Sequence, residues 1–392
     1  MNRREKILDV AIIGAGHNGL TCGAYLAQAG LSVALFERRG IIGGTAVTEQ
    51  FHPGFRNSTA SYTVSLLHPR VIRELRLREH GLTIVERPLL NYVVEAEGRG
   101  LRIGPRGEDT LRHLATRSPR DAERHGAYQA QLATGIALLK DLLLRTPPTD
   151  LKRCTDLWSA LRIGRAWRAL PLESQRVVHE LFTRSAGDLL DGWFEDEGLK
   201  AAYGFDSIVG NYASPYTPGS AYVLLHHAFG EVNGKPGQWG HALGGMGAIT
   251  QAMAREAAAH GARIQADAPV RRVLVEKGRA AGLELEDGRV VRAHRVAANV
   301  NPRMLYLQLL GSGEVPAEIR ARMQRWRAGS ASFRMNVALA ELPRLDASGA
   351  GGSDIHRSGI LLAPTLQYMD RAYLDARSAG MSREPVIEML IP

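Results

Sequence analysis

A chain of 392 residues with 45% apolar side chains is long enough for two packed regions, and no stretch approaches the roughly 18 uninterrupted apolar residues of a membrane span. The formal charge of +9 does not point to nucleic acid: only six of the 49 basic residues are lysine, and the arginines lie scattered among carboxylates rather than in runs with interleaved aromatics. Cys22 and Cys154, the two cysteines, stand far apart in no CxxC pattern, which excludes a dithiol centre and a cysteine-built zinc site. Redox chemistry here has to come from a bound cofactor, and no metal site is expected.

The start, MNRREKILDV, passes from a short basic tip into a strand without an apolar leader or cleavage site, so a cytoplasmic protein is expected. Leu8 to Ile13 (LDVAII) reads as an apolar strand. It runs into Gly14-Ala15-Gly16-His17-Asn18-Gly19 and then into helix-like LTCGAYLAQAG. A second apolar strand, Leu31 to Phe36, ends on Glu37. Strand, glycine turn, helix, strand and terminal acid in this order make up the dinucleotide-binding βαβ fingerprint.

Each part has a physical duty. Gly14 permits the tight turn, Gly16 lets backbone approach a pyrophosphate, and Gly19 lets the helix lie close to the sheet. The helix N-terminus offers unpaired N–H groups and the positive end of its dipole to phosphate. Glu37 accepts hydrogen bonds from ribose hydroxyls and repels a 2′-phosphate. A glycine-rich turn alone also occurs in unrelated α/β proteins; the surrounding strand, helix and acid give this one its specificity. Both NAD and FAD use such a unit. The continuation Arg38-Arg39-Gly40-Ile41-Ile42-Gly43-Gly44-Thr45 adds a second glycine pair, hence a second close backbone approach, and favours FAD.

Three blocks resemble the phytoene desaturase-like flavoproteins, and within them the group named for pyridine nucleotide-disulfide oxidoreductase domain-containing protein 2. They are DVAIIGAGHNGLTCGAYLAQAGLSVALFERRGIIGGTAVTEQFHPGF, continuing through SYTVSLLHPRVIREL; SPYTPGSAYVLLHHAFGEVNGKPGQWGHALGGMGAITQAMAREAAAHGA; and VRRVLVEKGRAAGLELEDGRVVRAHRVAANVNPRMLY. The resemblance implies an α/β fold: a Rossmann-like FAD/NAD(P)-binding domain of the glutathione-reductase-2 or amine-oxidase type, joined to a mixed α+β substrate domain. It also implies that backbone near Val270 meets the adenine and that Asn299 lies where the chain returns to the cofactor. Thr45 stands where many members carry arginine, so contact there is expected through backbone or hydroxyl. Tyr212, Tyr222, His226, His227, Trp239 and His241 are the candidates near the flavin, and the sequence singles out no catalytic residue among them.

The cofactor domain is expected to be discontinuous, at 1–105 and 240–310, with 106–239 and 311–392 forming the substrate domain. Ser118, Pro119 and Asp121 mark a helix start, and that helix is expected to reach Arg145 before Pro147-Pro148. Further helices fit 154–168 and 172–200. LWSALRIGRAWRAL suggests contact with a membrane surface, yet Arg165 and Arg168 share the helical arc of Leu157 and Leu161. Strands are expected at 270–276, 280–286 and 289–297, with Asp287-Gly288 as a hairpin turn. Residues 331–343 and 385–392 read as strands that, by resemblance, roof the isoalloxazine; 349–353 reads as a loop tip. Relatives continue beyond Pro392 with a glycine-rich turn and a helix facing the flavin. The C-terminal part of the fold is therefore expected to be missing and FAD to be held weakly.

The expected activity is FAD-dependent hydride removal from a C–H of a small, apolar substrate, with oxygen or a quinone as electron acceptor. A nicotinamide-dependent reductase and a non-catalytic flavin-fold interaction protein are the alternatives.

Overall fold

The computed structural model describes residues 7–95, 100–105, 107–330, 332–345 and 352–391. Strand β1 (Leu8–Ile13) is buried at every position but one, as expected of an apolar run at the centre of a parallel sheet. It pairs in parallel with β2 (Val33–Phe36) on one side and with β14 (Val290–Ala298) on the other. The full sheet has six strands in the order β11-β2-β1-β14-β13-β12, with β11 at Arg263–Gln265, β12 at Val270–Glu276 and β13 at Arg279–Leu285. Strands β12 to β14 form an antiparallel meander, and Gly288 supplies the left-handed φ of +85° at its second turn. Helix α1 (His17–Gln28) crosses between β1 and β2 and packs with α10 (Gly247–Ala259) on one face around Ile12, Leu20, Leu35, Ile249 and Met253. Leu8, Ala11, Phe36, Leu283 and Leu309 fill the other face.

A second sheet has the order β16-β15-β6-β7, with β6 at Asn91–Val94, β7 at Gly100–Ile103, β15 at Gly359–Leu362 and β16 at Ile387–Met389. Helices α3 (Gly107–Ala115), α4 (Pro119–Leu143), α6 (Leu172–Thr183), α7 (Ala186–Trp193), α8 (Glu197–Phe205) and α9 (Ser220–Ala228) contribute to the largest apolar core, centred on Leu101, Leu114, Tyr128, Leu181, Leu190 and Leu225. Short ribbons join the parts: β3 (Thr48–His52) with β4 (Phe55–Ser58), β5 (Ile84–Glu86) with β10 (Gly240–Ala242), and β8 (Glu231–Val232) with β9 (Lys235–Pro236). The short helix α2 (Pro69–Glu74) follows the first ribbon.

Helix α4 starts as its cap demands: Ser118 Oγ accepts the Asp121 N–H and Pro119 takes the first position. Asp121 is fully buried, and its carboxylate accepts the N–H groups of Glu195 and Asp196, locking α4 to the α7–α8 junction. The single helix expected over 172–200 is three. Arg184 and Phe194 turn extended, and Ser185 and Asp196 each cap a new start. Helix α5 (Cys154–Ala169) has no buried residue; it leaves Leu157, Trp158 and Leu161 exposed.

The strand expected at 331–343 does not form over its described part, 332–343, which has no ladder partner among the described residues. Side chains hold it among the described residues: Asn57 Nδ2 donates to Asn336 Oδ1, Arg334 to Ser58 O, and His356 Nε2 bonds Pro343 O. Of 385–392, the described part, 385–391, forms a ladder at β16 alone. The expected loop tip falls mostly outside the described residues. Among those described, no helix is long and apolar enough to cross a membrane.

Candidate functional site

At the C-terminal end of β1 the backbone turns sharply at Gly14 (φ +92°), whose N–H donates to Phe36 O at 2.8 Å. A Cβ on Gly14 would stand 3.0 Å from Asn299 O, and one on Gly19 only 2.1 Å from Gly14 O. Both positions therefore require glycine. Helix α1 begins at Gly16 without a side-chain cap, so its first N–H groups keep their unpaired character. The second glycine pair lies directly on this turn. Gly43 N–H donates to Ala15 O at 2.9 Å, and a Cβ on Gly44 would stand 3.0 Å from Gly16 Cα. Gly43 and Gly44 both take left-handed φ, +125° and +61°. Two backbone turns are thus stacked with little side chain between them. His17, Asn18, Thr45 and Arg38 line the rim and are exposed.

Glu37, at the end of β2, is 7% exposed and turned toward the glycine turn: Oε2 accepts the Ala15 N–H at 3.0 Å and Oε1 the Arg39 N–H at 3.1 Å. Each carboxylate oxygen retains a second lone pair. Beyond Glu37, Ala268 N–H donates to Glu37 O, so the chain leading into Val270 runs beside this acid. Val270 itself pairs with Leu285, and its side chain joins the apolar core. Asn299 N–H donates to Ile13 O and extends the β1–β14 ladder to the turn. The glycines, Glu37, Asn299 and Thr45 are thus brought together. Their donor set, a glycine cradle that Cβ atoms would fill beside an acid with spare lone pairs, suits a diphosphate and a ribose.

On the far side of the glycine pair lies a second group, of polar side chains. Ser61 N–H donates to Thr45 O at 2.9 Å, leading from the cradle straight to Tyr62, whose hydroxyl donates to Glu388 Oε2 at 2.5 Å. Arg87, 3% exposed, donates from Nε to His241 Nε2, from Nη1 to Leu90 O and from Nη2 to Thr63 Oγ1. The first of these bonds requires His241 Nε2 to be unprotonated. Burial, then the neighbouring guanidinium, pushes the imidazole down to about 4, so His241 acts as a neutral acceptor. Trp239 lies under Arg87 (5.7 Å) and stacks on His227 at 6.2 Å and 5°. Asp206, at the end of α8, is pushed up to about 7 by burial and then by the charge of Glu388; burial likewise raises Glu388.

Of the six flavin-side candidates, His227, Trp239 and His241 belong to this group. Tyr222 packs on Phe182 and Tyr212 on Tyr373, while His226 lies at the edge of the group, its ring against those of His227 and Phe229. Sequence reading missed Tyr62, Arg87, Asp206 and Glu388. They come from four separate stretches without a shared period or motif, so no spacing rule finds them. Among the described residues no group of histidines, cysteines and carboxylates is placed to hold a metal ion, and Cys22 and Cys154 are both free.

Fold and cradle together define a Rossmann-like α/β protein built for a dinucleotide. Residues 19–332 match the family described as flavin containing amine oxidoreductase. The chain belongs to this family of FAD-dependent oxidoreductases, and its cofactor is FAD, which decides between the flavin and nicotinamide readings. It is 35% identical to the rat (Rattus norvegicus) pyridine nucleotide-disulfide oxidoreductase domain-containing protein 2, over 98% of this chain and 70% of that protein. It is 26% identical to the lycopene-forming phytoene desaturase of Pseudescherichia vulneris, over 84% of this chain and 63% of the desaturase. Among solved structures, an oxidoreductase from Methanosarcina mazei shares the fold with a TM-score of 0.52 at 20% identity, over 81% of this chain and 64% of that one. The chain therefore spans slightly less than two thirds of the length of the last two.

Proposed function

We propose that Gly14, Ala15, Gly16, His17, Asn18, Gly19, Gly43, Gly44 and Thr45 cradle the FAD diphosphate, that Glu37 holds the adjoining ribose beside Arg38, and that the chain near Val270 and Asn299 flanks the cofactor. The division into a discontinuous cofactor part (1–105 and 240–310) and a substrate part (106–239 and 311–392) follows this reading. It is supported by a six-stranded sheet drawn wholly from 8–36 and 263–298, although β6 and β7 pair into the other sheet. When bound, FAD supplies the acceptor for a hydride leaving a substrate C–H. The protein supplies orientation, a fixed positive helix end, and the polar group beyond Thr45.

The observation that carries the reading is the uncapped start of α1 lying over two stacked glycine turns, with Glu37 aimed at the same turn. The name of the desaturase relative supports an apolar, isoprenoid-like substrate. Oxygen and quinones are the electron acceptors to test.

The experiment is a calorimetric titration of the purified chain with FAD and with NAD. Anaerobic bleaching of the flavin absorbance by a panel of isoprenoid polyenes and primary amines follows, and then reoxidation by oxygen or a quinone. Saturable FAD binding that NAD does not match, with bleaching by a polyene, is the expected outcome. Tighter binding of NAD than of FAD would sink the assignment of the cradle, and bleaching by amines alone would sink the apolar substrate.

A further inference from the structure

We propose that α5 and the loop before it rest on an anionic lipid surface, with Leu157, Trp158 and Leu161 entering the acyl boundary and Arg162, Arg165 and Arg168 meeting the phosphate headgroups. The inference is independent of the cofactor cradle and of the substrate reading above.

Three observations carry it. First, α5 buries no side chain, although Leu157, Trp158, Leu161, Ile163 and Trp167 lie along it. A surface helix of a globular protein normally turns such residues toward the core. Here the half-buried Asp156, Ser159, Ala160 and Ile163 mark the side that faces the protein. Leu157, Trp158 and Leu161 point the other way, and Trp158 is 65% exposed. At 3.6 residues per turn they share an arc of about 140° with Arg162, Arg165 and Arg168. The two sets are nevertheless separated along the axis: the apolar residues occupy the first two turns and the arginines the last two. The arc thus has an apolar end and a basic end, and arginine stems can lie on apolar surface while their heads reach phosphate.

Second, the apolar end is extended by Leu143, Leu144 and Leu151, all exposed. Asp156 accepts the N–H groups of Thr149 and Asp150 at 3.1 and 2.9 Å, which fixes the loop carrying Leu151 beside the first turn. Third, the basic end is uncompensated. Among the described residues Arg162, Arg165 and Arg168 form no ion pair, whereas the neighbouring Arg145, Arg153 and Arg176 pair with Asp141, Asp150 and Glu180. Free cations beside exposed Leu and Trp complement a negatively charged bilayer surface. A second copy docking face to face would set these arginines against arginines or apolar side chains, and neither contact supplies an acid.

Co-sedimentation of the full chain with vesicles tests this, using phosphatidylcholine alone and phosphatidylcholine mixed two to one with phosphatidylglycerol. The chain is expected to pellet with the anionic vesicles, to leave them at high salt, and to stay in solution with the neutral ones. With each arginine near the surface contributing about fivefold, the triple variant Arg162→Gln, Arg165→Gln, Arg168→Gln should bind about 100-fold more weakly. The triple variant Arg322→Gln, Arg325→Gln, Arg327→Gln removes the same charge from an exposed stretch elsewhere. It should lose less than about threefold. Vesicles with brominated acyl chains should quench the parent's tryptophan fluorescence, and Trp158→Phe should bind yet lose most of that quenching. Because α5 buries nothing, all variants should keep the parent's circular dichroism. No binding to anionic vesicles, an equal loss in the two triple variants, or quenching unchanged in Trp158→Phe overturns the proposal. So does a chain that ignores vesicles and sediments as a dimer, which Leu161→Ser dissociates; that result would give the face to a second copy.

Discussion

Replacing Gly19 with alanine tests the cradle at its tightest point. The added Cβ would lie 2.1 Å from Gly14 O, more than an ångström inside ordinary contact, and Gly14 cannot retreat. Its N–H is bonded to Phe36 O, and its other side faces Asn299 O. Helix α1 therefore has to move away from β1 by about 1 Å, against Leu35, which already crowds Gly23. Overpacking of this kind costs about 1–3 kcal/mol of stability. The larger effect falls on the helix start: two or three charge-assisted N–H contacts to a diphosphate lengthen together, at about 1.5–3 kcal/mol in all. At about 1.4 kcal/mol per decade, FAD affinity should fall about 10- to 100-fold. Titration of flavin fluorescence measures the affinity, and circular dichroism checks that the fold persists. Gly30→Ala is the control. Gly30 also takes a left-handed φ (+82°), but nothing lies within 4 Å of its Cβ position, so it should lose about 1 kcal/mol of stability and no affinity. Wild-type FAD affinity in Gly19→Ala, or an equal loss in Gly30→Ala, would refute the reasoning.

Glu37→Ala removes the expected ribose acceptor and leaves the Ala15 N–H unpaired; FAD affinity should drop at least about tenfold by calorimetry. Asp206 has a folded pKa raised to about 7 from 3.8, so the folded state binds the extra proton and stability falls as pH rises from about 4 to 7. The fall is on the order of 2–4 kcal/mol at about 1.4 kcal/mol per unit, allowing for partial exposure. Asp206→Asn should flatten that slope and gain stability at pH 8 relative to pH 5. Urea midpoints at both pH values check this, and parallel profiles for variant and parent would count against it. Asp121→Ala leaves the part-buried N–H groups of Glu195 and Asp196 without their acceptor, and chemical denaturation should show a loss of about 1–3 kcal/mol.

The cradle was legible in the sequence because its demands are local. Glycine at 14, 16, 19, 43 and 44 follows from backbone approach, and an acid closing β2 follows from one strand's length. The helical stretch 172–200 was legible only in part: its apolar spacing persists through Ser185 and Asp196, and those caps decide where it breaks. Residues 332–343 alternate like a strand, but a strand exists only beside a partner, and periodicity does not report partners. The polar group around Arg87 was hidden for the same reason. Tyr62 and Glu388 meet through three-dimensional closure, and nothing in their immediate neighbours distinguishes them from surface residues.

The pairing of β1 with β14 has a consequence for biosynthesis. Leu8 to Ile13 leaves the ribosome about 280 residues ahead of its β14 neighbour, Val290–Ala298, so that edge stays uncovered while the stretch between them is made. Until then an apolar ribbon with unpaired N–H and C=O groups is bare to other nascent chains. Slow synthesis or scarce chaperone should therefore reduce the yield of folded protein before any defect in chemistry shows.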